Sequence, residues 1–219
     1  MRICKAGWPF IIGCLLCAAA LASLSHSFGS AWLALASGAA FLAAAFCAYF
    51  FRDPFRRIPA GGGLVLSPAD GKIMEIVDAR DAVSREPVWV MRIFLSVFEP
   101  HLQRAPVAGR VRSVAYKKGR FLDARDPQAA CENEQNRIVI EGAGAPVVVT
   151  QIAGLIARRI VCWVAEGQMV AAGERIGLIR FGSQVDLVLP KSLKLRVKAG
   201  DHVTAGDTVI AELAQKNES

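Results

Sequence analysis

Histidine is scarce in this chain: the 219 residues hold three, His26, His101 and His202, set far apart. The six cysteines are no better placed to hold a metal. Cys4, Cys14, Cys17 and Cys47 lie in or beside an apolar N-terminus, while Cys131 and Cys162 stand far from each other. No Cys/His group has metal-ligand spacing, so no metal site is expected. Nor do the cysteines form the paired framework that staples small secreted folds, which points to a reducing compartment. The C-x-x-C at Cys14 and Cys17 lies inside an apolar run, where small lipid-compatible residues account for it better than redox chemistry does. Aromatic residues make up 8% of the chain and are not interleaved with the basic ones, which argues against a nucleic-acid groove. Beyond Phe51 there is no long helical period, and this makes a β-sandwich or barrel the natural class.

What the chain has in abundance is apolar surface and positive charge. Hydrophobic residues are 53% of the total and formal net charge is +7, so an anionic partner such as acidic lipid is plausible on charge grounds. The apolar excess sits at the start. Residues 8–24 and 31–51 form two apolar runs separated by 25–30, "SHSFGS". About 20 apolar residues are needed to cross the hydrocarbon core; the second run meets this comfortably and the first marginally. A transmembrane helical hairpin over 1–52 is expected, followed by a second domain over 53–219. Arg2 and Lys5 precede the pair of runs, Arg52, Arg56 and Arg57 follow it, and the connection carries no Lys or Arg. Both ends are therefore expected on the cytoplasmic face of the cell (inner) membrane. A cleaved signal peptide would suit the early Arg and Lys, but the second, longer run argues against it.

From Gly61 onward, short apolar runs are interrupted by Gly, Pro and Asp about every ten residues, which predicts a mainly β fold, a sandwich or barrel. Strands are expected over 72–77, 88–96, 109–114, 137–141, 147–152, 159–164, 177–181, 185–189 and 193–198. In the last of these Leu193, Leu195 and Val197 alternate with Lys194, Arg196 and Lys198, giving one apolar and one basic face. An internal echo runs through 164–179 and 197–213, both reading V-x-x-G-x-x-V-x-x-G-[ED]-x-[IV]. This spacing resembles the hammerhead half-motifs of lipoyl and biotinyl domains. The modifiable lysine turn of those domains is missing; Gly182-Ser183 occupies the connection instead.

Three patches could carry chemistry: Asp70 in "SPADGKI", His101 with Arg104 in "VFEPHLQRAPVAG", and Gly182-Ser183 in "FGSQVDLVLP". Each has an ordinary structural reading, as a turn aspartate, a histidine after a strand and a hairpin corner. Together they supply Asp, His and Ser, the ingredients of an activated nucleophile, although many chains hold these residues near turns.

The ordered series "FFRDPFRRIP", "SPADGKI", "VFEPHLQRAPVAG", "ENEQNRIVIE", "QIAGLIARRIV" and "FGSQVDLVLP" resembles the short bacterial/archaeal-type phosphatidylserine decarboxylase proenzymes over 50–190. The longer forms of that family carry a second histidine three residues after the first. Arg104 stands there in this chain, and Phe181-Gly182-Ser183-Gln184 replaces their Leu-Gly-Ser-Thr.

The resemblance implies self-cleavage between Gly182 and Ser183 into chains 1–182 and 183–219, which stay associated. Ser183 is the implied nucleophile and becomes a covalent pyruvoyl group that forms a Schiff base with substrate. His101 is the implied base and proton donor, and Asp70 orients it. Arg56, Arg57 and Arg104 are candidate headgroup contacts, no metal is involved, and phosphatidylserine in the bilayer is the substrate, converted to phosphatidylethanolamine and CO2. The segment 132–136, "ENEQN", is either a loop near the site or a polar turn. The sequence leaves open a homo-oligomer, a decarboxylase for another amino-phospholipid, and a membrane-tethered lipoyl-like binding module without catalysis.

Overall fold

The computed structural model of the chain describes residues 2–81, 85–123, 126, 128–142, 145–155, 159–180 and 183–213. Two units are distinct, Met1–Phe55 and Arg56–Ser219.

In the first unit, strands β1 (Arg2–Ile3) and β2 (Arg52–Asp53) pair antiparallel. Between them in sequence run helices α1 (Trp8–Phe28) and α2 (Ala31–Phe50). Proline in the first turn of α1 sits where a backbone N–H has no helical partner to lose. The helix stops at Gly29, whose φ of 63° and ψ of 22° are the left-handed cap that glycine adopts without strain. It is one turn longer than hydropathy placed it, because the polar residues of 25–27 remain helical. The Ser37 hydroxyl donates to Ala18 O at 2.8 Å and ties the two helices together. The stretches Lys5–Phe28 and Ala31–Phe50 are each long and apolar enough to cross a membrane by length and composition.

The second unit is built from β3 (Leu64–Leu66), β4 (Gly71–Arg80), β5 (Pro87–Leu95), β6 (Leu102–Arg104), β7 (Gly109–Lys117), the one-turn helix α3 (Ala129–Glu132), β8 (Gln135–Gly142), β9 (Ala145–Ala153), β10 (Ile160–Cys162), β11 (Met169–Val170), β12 (Arg175–Ile179), β13 (Ser183–Pro190), β14 (Leu193–Leu195), β15 (His202–Val203) and β16 (Val209–Leu213). An eight-stranded curled sheet has the order β11-β7-β8-β9-β13-β5-β4-β15, and two three-stranded sheets have the orders β10-β12-β6 and β14-β16-β3. The fold is mainly β, as alternation and turn spacing predicted.

These orders describe two interlocked halves related by a pseudo-twofold. The large sheet reads the same from either end once β11, β7, β8 and β9 are matched with β15, β4, β5 and β13. The small sheets match likewise, β10, β12 and β6 with β14, β16 and β3. Backbone hydrogen bonds repeat the correspondence: Leu66 N–H donates to Pro106 O at 2.8 Å, and Arg104 N–H donates to Pro68 O at 2.9 Å. So do Ile73 N–H to Asp201 O and Val111 N–H to Gln168 O. The echo seen in sequence occupies equivalent places, with β11 and β15 at the two ends of the large sheet. Its two segments form no ladder with each other among the described residues, so the hammerhead comparison goes no further than local spacing.

One half, 102–179, is contiguous; the other is 64–95 plus 183–213. The first is thus inserted where a simple β5–β13 hairpin would have its turn. His101 and Ser183 lie at the two joints of that insertion. Consequently β12 and β13 belong to different sheets and form no hairpin with each other.

The core forms between the sheets. In β13, Val185, Leu187 and Leu189 are fully buried and pack with Met91, Ile93 and Leu95 of β5 and Ile138 and Ile140 of β8. The alternate residues Gln184 and Asp186 point to the opposite face, in keeping with the twofold period of a strand.

Candidate functional site

Ser183 is the first residue of β13, the central strand, paired with Leu95 of β5 on one side and Ala153 of β9 on the other. It is wholly buried, and its Oγ has no hydrogen-bond partner among the described residues. A buried hydroxyl without a partner costs roughly 1–3 kcal/mol, so packing alone does not favour serine here. Ala153, its neighbour, is pinned in turn: Asn133 Nδ2 donates to Ala153 O at 2.8 Å and to Leu122 O at 3.0 Å, while Asn133 Oδ1 accepts from Leu122 N–H. The "ENEQN" segment therefore supports the strand beside Ser183. Phe181 and Gly182, on the other side of the expected scissile bond, lie outside the described residues, as does Arg158 of the "QIAGLIARRIV" motif.

Asp70 ends the turn 67–70 between β3 and β4, which the Ser67 hydroxyl closes by donating to Ala69 O at 2.7 Å. The next residue must be glycine: Gly71 has φ +155°, and a Cβ there would lie 2.2 Å from Phe94 O. This close approach brings the Asp70 turn against the end of β5 that pairs with Ser183. Asp70 is buried and takes both its oxygens to one guanidinium nitrogen, Arg56 Nη2, at 2.6 and 2.8 Å. Burial nevertheless pushes its carboxyl up to about 6; the Arg56 charge and hydrogen bonds oppose that rise, and the Glu99 carboxylate adds to it.

His101 is wholly buried on the segment between β5 and β6. Its Nδ1 lies 2.8 Å from Glu99 O. A carbonyl oxygen can only accept, so Nδ1 carries the proton, and Nε2 is the basic nitrogen of the neutral ring. Glu99 itself is held by the Ser96 N–H on its Oε2 at 2.6 Å. Sequence reasoning passed over Glu99, yet it both fixes the His101 tautomer through its main chain and raises Asp70 through its charge. The signal that could have found it was its place two residues before the histidine inside a quoted motif.

The three candidate headgroup cations separate. Arg56 is committed to Asp70, Arg104 is buried with Nη1 on Gly173 O at 2.8 Å, and Arg57 is exposed. On the 193–198 segment the expected alternation of burial is present, and Arg196 pairs with Glu212 at 2.5 Å.

Ser183, His101 and Asp70 thus lie at the same end of the sheet but on separate partners: His101 Nδ1 meets Glu99 O, Asp70 meets Arg56, and no hydrogen bond joins Ser183 Oγ to either among the described residues. The family model of phosphatidylserine decarboxylase matches residues 43–211. The chain belongs to the phosphatidylserine decarboxylase family. Curated family members named phosphatidylserine decarboxylase proenzyme resemble it over nearly their whole length. That of Burkholderia pseudomallei is 44% identical over 218 residues, covering 98% of this chain and 96% of its own. That of Geobacter metallireducens is 43% identical over 213 residues, with 96% of each chain covered, and that of Paraburkholderia phymatum is 44% identical over 215 residues. In the phosphatidylserine decarboxylase family model, the matched span takes in Asp70, His101 and Ser183 together.

Proposed function

We propose that the chain is a membrane-anchored proenzyme that cuts itself between Gly182 and Ser183 and then decarboxylates phosphatidylserine to phosphatidylethanolamine and CO2. The observation that carries this reading is the buried, unpartnered Ser183 hydroxyl at the start of the central strand, in a family whose relatives are named proenzymes.

Ser183 Oγ gives its proton to His101 Nε2 and bonds to the Gly182 carbonyl carbon. The Gly182 C–N bond breaks, and the Ser183 nitrogen takes a proton, leaving an ester. Removal of the Ser183 Cα proton and cleavage of its Cβ–Oγ bond release the Gly182 carboxylate and leave dehydroalanine. Water then replaces the nitrogen as ammonia and yields a pyruvoyl end on residues 183–219. A serine-derived group fits this place, because the Oγ it replaces satisfies no other residue among those described. Once formed, the pyruvoyl ketone would supply an electrophilic carbonyl for the substrate amine and a sink for the electron pair left as CO2 departs. His101 holds a proton for return to the substrate carbon; its ring is held at Nδ1 by the Glu99 carbonyl, so Asp70, bonded to Arg56, would act on the charged imidazole through its charge and not by orienting the ring.

Residues after the cut supply β13, β14, β15 and β16. β13, β15 and β16 pair with strands that precede it, and this supports continued association of the two chains. The N-terminal helices support the anchor: Trp32 is 80% and Leu16 67% exposed, a surface that lipid rather than water would cover. Arg2, Lys5 and Arg52 flank the two helices while their connection carries no Lys or Arg, and this charge pattern supports a cytoplasmic location for both ends of the anchor. Exposed Arg57 would attract such an anionic headgroup, an effect worth about 1 kcal/mol near a membrane surface.

Mass spectrometry of the purified protein tests the reading. The expected result is a fragment beginning at position 183 with a pyruvoyl end, release of CO2 from phosphatidylserine vesicles, and an uncut, inactive Ser183→Ala chain. A full-length wild-type chain without that fragment refutes it.

A further inference from the structure

Three side-chain amides that the proposed chemistry does not use run through the interior toward His101. Asn136 Nδ2 donates to Gln151 Oε1 at 2.8 Å, Gln151 Nε2 donates to Gln103 Oε1 at 2.8 Å, and Gln103 Nε2 donates to His101 O at 2.9 Å. All three are buried, Gln103 and Gln151 completely. The direction of the chain is fixed by its end. His101 O can only accept, so Gln103 presents its nitrogen there and its oxygen to Gln151, and the same logic passes to Asn136.

The chain crosses from the large sheet, through β8 and β9, to β6 in a small one. Its passage has shaped the neighbouring strand: a Cβ on Gly177, which faces Gln103 across the ladder, would lie 2.6 Å from Gln151 Nε2 and 2.5 Å from Val161 O. Gln151 lies opposite Val185, one step along the same face from the Ala153–Ser183 pair, which puts the amide chain about 7–8 Å from the nucleophile position. His101 O also receives the Ile179 N–H at 3.2 Å, from the strand that leads directly to the expected scissile bond.

We propose that Asn136, Gln151 and Gln103 are positioning residues for self-cleavage, holding the His101 main chain in register with the strand end that carries the scissile bond. The inference rests on His101 being the base of the proposed reaction. Aligned amides polarise one another, and each loses a partner if one is removed, so the His101 peptide has a single satisfied orientation. The ring, fixed at Nδ1 by Glu99 O, then inherits its aim from the main chain.

The test is the rate at which the full chain, made by cell-free translation with phospholipid vesicles, becomes cut at position 183 between pH 5.5 and 8. Gln103→Met keeps the volume but removes both hydrogen bonds, and cleavage is expected to slow about tenfold or more. Gln103→Glu restores both when its carboxyl is protonated and loses the donor when ionised. Its rate relative to wild type should therefore rise as pH falls, a profile that a merely space-filling role would not produce. Wild-type cleavage by Gln103→Met overturns the inference, as does a Gln103→Glu rate no faster than that of Gln103→Met at every pH. Should Gln103→Met prove protease-sensitive throughout and so unfolded, a flat Gln103→Glu ratio overturns the inference and a rising one supports it. An uncut wild-type chain refutes the function reading itself, and the inference with it; cut wild type with unaffected variants refutes the inference alone.

Discussion

Arg56→Met in an uncut Ser183→Ala background tests whether the Arg56–Asp70 pair is as desolvated as its geometry says. Both side chains are only 10% exposed, and both Asp70 oxygens are taken by Arg56. Removing one partner of such a pair strands the other charge and costs about 3–5 kcal/mol. The carboxyl gives a second, independent reading. It stands at about 6 instead of 3.8 even with Arg56 present, so burial outweighs the cation. A rise of that size corresponds to about 3 kcal/mol of penalty on the charged form.

The sign follows from proton linkage. The folded state binds the proton more tightly than the unfolded one, so stability falls as pH rises from about 4 to about 6 and stays lower above that window. Without Arg56 the carboxyl rises further, and the fall continues to higher pH. The variant should therefore lose more stability at pH 8 than at pH 5, with a melting temperature lower by roughly 6–20 °C at pH 8. Adding Asp70→Asn should recover most of the loss, because no buried charge is then left. Thermal unfolding of the full chain in detergent, followed by tryptophan fluorescence at both pH values, measures all of this. A loss below about 1 kcal/mol, or one independent of pH, would mean that water reaches the pair and that the account of Asp70 is wrong.

Two other predictions concern residues outside the proposed chemistry. Asp186 is buried on the face of β13 away from the core, and burial raises its carboxyl to about 6 against the opposing effects of the Gln184 hydrogen bond and the Arg92 charge. Asp186→Asn should therefore stabilise the chain above pH 6 by up to about 3 kcal/mol and much less near pH 4, as measured by the same melts; equal effects at both pH values would contradict it. Gly71→Ala forces a Cβ to within 2.2 Å of Phe94 O at a φ of +155° and should destabilise by about 2–5 kcal/mol and slow cleavage. Gly62→Ala, where a Cβ would meet nothing within 4 Å, should leave the melt unchanged within about 0.5 kcal/mol.

Much of this protein was legible along the chain. The two uncharged runs become α1 and α2, because a helix satisfies its own backbone and hydropathy needs no partner to be read. Long strands such as β5, β9 and β13 lie within a residue or two of where apolar runs and turn residues placed them. Short strands were passed over: β3, β6, β11 and β15 span two or three residues each, too few for a period to register. The motif series pointed to the family, and Asp70, His101 and Ser183 could be named from sequence, whereas Glu99 and Gln103 in the same motifs were passed over.

What the sequence by itself determined is thus the local chemistry: which segments are apolar, which alternate, and which side chains could react. Tertiary structure alone decided how those segments meet. It nests one half of the β unit inside the other, so that His101 and Ser183, 82 positions apart in the numbering, stand at the two joints. It gives Asp70 to Arg56, gives the His101 ring to Glu99 O, and threads Asn136, Gln151 and Gln103 into one amide chain. Each of these contacts depends on strand register, and register is set by simultaneous burial of many distant apolar side chains rather than by any residue near the site.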